Sequence, residues 1–189
     1  MKVEEKTRQE IEFKVGNMSD FLKMEYLESC IKFHREFDIK KFCNMKLAEL
    51  YEKRNMFTEA ARNAASAAEM ASTFKEKIEA YMKEVELWIK ASQYDRSDEA
   101  FRKALASGNT MEKFEMKQAV KEFYKRQALA YEKSGRNANA LKVYQKIMEI
   151  ASDEPEKKEV KMKLLVLYER LGKIREYSVL KAQLDGTSL

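Results

Sequence analysis

His34 is the only histidine of the chain. Cys30 lies four residues before it, and Cys43, the one other cysteine, lies nine residues after it. On a helix Cys30 and His34 share a face, so both reach toward one metal ion. A structural zinc site needs four such ligands, and the sequence supplies no fourth Cys or His. The reading that follows is two small apolar thiols inside a core with a histidine at its edge, and no metal or other cofactor. No G-x-G-x-x-G or P-loop pattern occurs, so nucleotide chemistry has no support. The acidic pairs Glu4-Glu5 and Asp98-Glu99 read as solvated helix starts, which the helix dipole favours, rather than as catalytic carboxylates. An enzyme is not expected.

Charge offers a different chemistry. The chain carries a net charge of +5, distributed unevenly. Residues 118–189 hold 15 Lys+Arg against 10 Asp+Glu, whereas residues 1–117 hold 22 of each. Lys113, Lys117, Lys121 and Lys125 recur every fourth residue, a slanted basic stripe on a helix that drifts about 40° per step. Such a stripe is a solvated face or a docking surface for an acidic partner. Nucleic acid is the weaker partner, because no basic motif interleaved with aromatics is present.

The elements that must position these residues are helices. Of 189 residues, 44% are hydrophobic and 37% charged, with five Gly and one Pro, and alternating strand patterns are missing. Strong helix formers dominate, so an all-α protein is expected. No uncharged apolar run approaches the roughly 20 residues of a membrane helix. The opening MKVEEKTRQEIEF carries acids throughout, unlike a signal peptide. Two cysteines make no disulfide framework, so a soluble, cytoplasmic protein is expected.

A repeat organises the helices. Ala128, Tyr131, Gly135 and Ala140 find counterparts 40 residues earlier in Trp88, Ala91, Asp95 and Ala100, and 80 residues earlier in Ala48, Tyr51, Asn55 and Ala60. Moving forward 37 residues gives Leu165, Tyr168, Gly172 and Tyr177. Asn55, Asp95, Gly135 and Gly172 are then the residues that end one helix in a left-handed conformation and turn the chain back. Five helical hairpins are expected, at 3–35, 38–72, 74–107, 111–151 and 155–184, in one domain spanning 1–189. Ser19 precedes an amphipathic run with Phe21, Met24, Leu27, Ile31 and Phe33. Thr73…Glu76 and Asn109…Glu112 have capping-box spacing, and Pro155 suits a first helical turn. A last helix near 173–184, with Ile174, Tyr177, Leu180 and Leu184 on one side, reads as a cap on the array.

Leu47-Ala48, Tyr51, Phe57, Ala60 and Ala67 in one unit, and Ala128, Tyr131, Gly135, Ala140 and Tyr144 in another, resemble the tetratricopeptide repeat. The 40-residue period, and the stretch Glu84–Ala106, are similar to the SNAP-type branch, the soluble attachment proteins of vesicle fusion. The resemblance implies a right-handed α-solenoid whose first helices line a concave groove. Met45, Glu49, Met82, Ile89, Gln93, Lys125, Leu129, Lys133, Met162, Val166 and Arg170 would face it, with Lys121 beside them. Chaperone-tail binders carry Asn where this chain has Glu49, Ile89, Leu129 and Val166, which argues against that ligand. The expected function is a protein-interaction scaffold or adaptor that holds an amphipathic, acidic helical segment. Two alternatives stand beside it. One is a SNAP-like adaptor joining a coiled-coil bundle to an ATPase. The other is an RNA-binding protein using the basic C-terminal third.

Overall fold

A computed structural model describes residues 2–186. The described residues form ten helices and no strand: α1 (Arg8–Gly16), α2 (Asp20–Phe33), α3 (Phe37–Lys53), α4 (Phe57–Glu69), α5 (Phe74–Lys90), α6 (Tyr94–Ser107), α7 (Thr110–Lys133), α8 (Asn137–Ile150), α9 (Glu154–Arg170) and α10 (Ile174–Asp185). They pair as hairpins joined by short turns, an all-α helical-repeat fold. None is long and apolar enough to cross a membrane.

Four of the five hairpin turns share one backbone device. Asn55, Ser92, Gly135 and Gly172 have φ of 59°, 59°, 71° and 66°. One residue later, the N–H of Met56, Gln93, Arg136 and Lys173 donates back to the carbonyl of Tyr51, Trp88, Tyr131 and Tyr168, each at 2.9 Å. A left-handed residue plus this six-to-one bond is the Schellman termination, which satisfies carbonyls the helix end leaves open. An aromatic residue four positions before the left-handed one is thus the fixed mark of the repeat. The hairpin of α1 and α2 lacks it, since Asn17 caps α1 at φ −95°.

This geometry corrects the third hairpin. The left-handed residue there is Ser92, and Asp95 lies in the first turn of α6, where the dipole favours a carboxylate. Trp88 is therefore the counterpart of Tyr51 and Tyr131, and Ser97 is the counterpart of Ala60 and Ala140. Ser97 is 1% exposed, and its hydroxyl donates to the Val85 carbonyl at 3.5 Å. A small side chain at that point lets the two helices approach.

The period is corrected with it. The left-handed residues are spaced 37, 43 and 37 residues apart. α3, α5 and α9 each have 17 residues, but α7 has 24. The apparent 40-residue repeat averages a shorter one with a single lengthened helix. The described fold divides within α7 into two compact units, Met1–Met116 and Lys117–Leu189. The extra turns of α7 thus belong to the first unit.

In the first unit, α2 packs on α3, α3 on α4, α4 on α5 and α5 on α6. One core gathers Ile11, Tyr26, Leu27, Cys30, Cys43 and Leu47. Another joins Ala67, Ala68, Ala80, Tyr81, Ala104 and Met116. Phe21 and Phe33, expected on the packed side of α2, are 66% and 60% exposed, because α2 buries only Tyr26, Leu27 and Cys30. In the second unit, α8 packs on α9 and α9 on α10. Tyr124, Ala128, Val143, Ile147 and Leu167 are fully covered. α10 buries no residue completely, and Ile174 is exposed, as suits a terminal helix with one packed side. The caps at Thr73 and Asn109 form as expected, and Pro155 sits in the first turn of α9.

Candidate functional site

The thiols and the histidine come first. Cys30 and Cys43 are both fully buried. The two thiols are hydrogen-bonded to each other, and Tyr26 bonds Cys30. The bond to Cys43 draws the Cys30 thiol below its usual range; the same bond and burial push Cys43 well above it. The Tyr26 hydroxyl donates a hydrogen bond to Glu5 Oε2, and the other oxygen of Glu5 meets Lys14 at 2.5 Å. Burial would raise the Glu5 carboxyl, but Lys14 and Tyr26 outweigh it and hold it at about 2. His34 points elsewhere. It is 6% exposed, with Nδ1 3.6 Å from Glu36 and its ring edge against Phe33. Among the described residues no three His, Cys, Asp or Glu side chains converge as a metal site.

The expected groove residues of the first unit separate into two groups. Met45 and Met82 are half-buried against the core of α4, α5 and α6. Glu49 is exposed and lines a cleft of about 340 Å³ between α1, α2 and α3, floored by Val15, Leu27 and Leu50. Of its basic wall residues Lys23, Lys46 and Lys53, two are already paired, Lys46 with Glu12 at 3.2 Å and Lys53 with Asp20 at 2.9 Å. Ile89 is 1% exposed and faces the core. Gln93 belongs to the turn, where it is the N-cap position of α6. The corrected register replaces these two by Glu86 and Lys90, the counterparts of Glu49 and Lys53.

Glu86 and Lys90 belong to a closed ionic network that sequence reasoning missed. Lys83 reaches Glu52 at 2.7 Å and Glu86 at 3.2 Å, and Lys90 reaches Glu52 at 2.6 Å and Glu86 at 3.0 Å. Burial alone would raise both carboxyls; the two lysines outweigh it and lower them. Counting 37 residues from Glu49 and Lys53 would have found Glu86 and Lys90. This face of the first unit is self-neutralised.

The second unit differs. Leu129 on α7 is 45% exposed, and Met162 and Val166 on α9 are 57% and 44% exposed. Two ion pairs tie the helices side by side around them, Lys125 to Glu156 at 3.5 Å and Lys163 to Glu132 at 3.6 Å. Each pair member lies seven residues from its equivalent in the other pair, two helical turns. Lys133 and Arg170 are exposed beyond them and make no ion pair among the described residues. Lys121 is no surface charge. It is 5% exposed and donates to Ser152 at 2.6 Å and to Glu156 at 2.7 Å. The expected basic stripe is therefore broken: Lys113 and Lys117 are exposed, Lys121 is buried, and Lys125 is half-buried and paired.

Residues 124–158 match the tetratricopeptide repeat family profile. The match takes in the end of α7, all of α8 and the first turn of α9, which contain the Tyr131–Gly135–Ala140 signature. No curated protein matches the chain. Nothing found supports the SNAP-type branch.

Proposed function

We propose that the chain is a cytoplasmic protein-interaction scaffold rather than an enzyme, and that the α7–α9 face of its second unit holds an amphipathic, net-acidic helical segment of a partner. The observation that carries this reading is the exposed trio Leu129, Met162 and Val166, framed by ion pairs and bordered by the free cations Lys133 and Arg170. Apolar side chains left in water between charged rims are what an amphipathic helix covers. The tetratricopeptide match on these same helices supports a scaffold, since such repeats mediate protein–protein contacts. The apolar trio supplies affinity, while Lys133 and Arg170 steer the encounter and set orientation.

The test is affinity capture from native cytosol with mass spectrometry, comparing wild type with two double variants. Leu129→Asp with Val166→Asp should remove the bound protein while the fold persists, because both positions are exposed. Lys133→Glu with Arg170→Glu should slow association, most at low salt, where the screening length is about 10 Å at 0.1 M. An unchanged set of captured proteins for the apolar variant would refute the assignment. Capture that disappears on nuclease treatment would point instead to RNA.

A further inference from the structure

Asp20, the first residue of α2, meets Lys53, the last of α3, at 2.9 Å. That contact sets the two helices antiparallel and in register. Lys23 and Leu27 of α2 line one cleft with Leu50 and Lys46 of α3, in the same reversed order. Ten residues beyond Asp20 stands Cys30, and ten residues before Lys53 stands Cys43. Each is about 15 Å along its helix from the ion pair, so the two thiols oppose one another where α2 packs on α3. The hydrogen bond between them agrees with this register.

Packing alone does not call for sulfur at this point. Both cysteines are 0% exposed and share one core with Tyr26, Leu27 and Leu47. Thirty-seven residues on, at the equivalent places of α4 and α5, stand Ala67 and Ala80, both buried in the next core. The repeat fills the position with alanine, and the first hairpin places a thiol on each side of it. Opposed thiols on adjacent helices are what a disulfide requires.

We propose that Cys30 and Cys43 are a reversible dithiol–disulfide pair, oxidised by a small peroxide into a covalent lock between α2 and α3. Cys30 is the attacking sulfur. The bond from Cys43 favours its thiolate, while the Cys43 thiol is held protonated. The Cys30 thiolate takes one peroxide oxygen, the O–O bond breaks, and the departing hydroxide leaves as water with the proton Cys30 gave up. The Cys43 sulfur then attacks the Cys30 sulfenic acid. The S–O bond breaks, the hydroxide takes the Cys43 proton, and a second water leaves. Two thiols are oxidised by two electrons and the peroxide is reduced to two waters.

Access comes from local opening of the first hairpin, in which α1 buries Ile11 and Val15 and α2 buries Tyr26, Leu27 and Cys30. That hairpin also lacks the Schellman turn of the others. In a reducing compartment the disulfide is transient, and the lock reports a burst of oxidant. The pair belongs to the first unit, so this proposal and the α7–α9 assignment stand or fall independently.

The experiment treats the reduced, folded full chain with hydrogen peroxide, alkylates it under denaturing conditions and maps the peptides by mass spectrometry. Wild type should yield one intramolecular peptide pair joining Cys30 to Cys43, released by dithiothreitol. The oxidised chain should melt at least about 2 °C above the same sample after dithiothreitol, which leaves any methionine sulfoxide in place. Cys43→Ala should stop at a Cys30 sulfenic acid that dimedone traps, and Cys30→Ala should form no cross-link. Both variants should fold, since alanine serves at the equivalent places. The proposal is overturned if both thiols of wild type remain alkylatable once the exposed Met111 and Met162 have been oxidised. It is equally overturned if the disulfide joins two chains or forms only in denaturant, or if the cross-link leaves the melting temperature unchanged.

Discussion

Lys121 Nζ lies 2.7 Å from Glu156 Oε2, and the pair is repeated in the first unit by Lys41 Nζ and Glu76 Oε1 at 2.5 Å. Both pairs span 35 residues. In each, a lysine from one first helix reaches the third residue of the next first helix, whose backbone N–H is capped by Asp153 or Thr73. The glutamate thus gains a cation from the preceding repeat while its own helix start is closed by the cap. For Glu156, burial opposes ionisation, and Lys121 with the Ser152 backbone N–H outweighs it. For Glu76, Lys41 is the leading cause of the lowered carboxyl.

Burial separates the two pairs in strength. The Lys121 and Glu156 side chains are 6% and 11% exposed, against 12% and 38% for Lys41 and Glu76. Lys121→Ala should cost about 2–3 kcal/mol, because it removes the closer cation from a nearly buried carboxylate and leaves it Lys125 at 3.5 Å and the Ser152 backbone N–H. Lys41→Ala should cost about 1 kcal/mol, since water reaches Glu76. Lys121→Met with Glu156→Gln should recover most of the loss. Urea denaturation of the three variants checks this, and equal losses at Lys121 and Lys41 would contradict the ranking.

The turns give a second test. Gly135 and Gly172 hold positive φ with nothing within 4 Å of the place a methyl group would occupy. Gly135→Ala therefore meets no clash, and its cost is the left-handed backbone alone, about 1–2 kcal/mol. Gly16, also with open space around it but without positive φ, should accept Ala with no loss, or gain about 0.5 kcal/mol from a stiffer unfolded chain. Thermal melts of the two alanine variants should shift in opposite directions or leave Gly16→Ala unmoved.

The helices, their pairing and three of the four left-handed turns, those at Asn55, Gly135 and Gly172, were legible from apolar spacing and from residues that tolerate positive φ. The third hairpin was misread because Asp95 and Ala100 imitate the turn and small-residue positions. The true left-handed residue, Ser92, is not a type that announces one. That three-residue slip carried into the site, placing buried Ile89 and the turn residue Gln93 where Glu86 and Lys90 belong. The lengthened α7 hid the slip by restoring the register at Gly135. Lys121 was placed with the steering charges because its partner, Glu156, is remote in sequence and no helical spacing connects them. Leu129 and Val166 were reachable because α7 and α9 carry the repeat without displacement.

The corrected register makes its own prediction. Ser97 and Ala140 occupy the same point of helix contact, and they are 1% and 0% exposed. Ser97→Leu and Ala140→Leu should each destabilise by about 1–3 kcal/mol, from overpacking where the hairpin helices approach. Ser97→Ala should cost less than about 1 kcal/mol, as it keeps the volume and gives up one long hydrogen bond. Denaturant midpoints provide the comparison. A tolerated Ser97→Leu would return the third hairpin to the register with Ala100 at the contact.

The last prediction concerns a buried carboxyl in α5. Glu84 is 7% exposed; its Oε1 accepts from Trp88 Nε1 at 2.9 Å, and its Oε2 has no hydrogen-bond partner among the described residues. Burial raises this carboxyl above its ordinary value, and the Trp88 N–H only partly offsets the effect. The folded protein therefore favours the protonated acid. The stabilisation from that proton is complete below the unfolded-state value, about 4.3, and is lost as pH rises through the higher folded value. Above that range the fold carries a buried charge with one unsatisfied oxygen. Glu84→Gln keeps an acceptor for Trp88 and removes the charge. It should match wild type at about pH 4 and exceed it by about 1–3 kcal/mol at about pH 8. Urea unfolding across this range reads the difference directly. If the gap between variant and wild type stays constant with pH, Glu84 does not titrate differently in the folded and unfolded chain, and its burial does not raise the carboxyl.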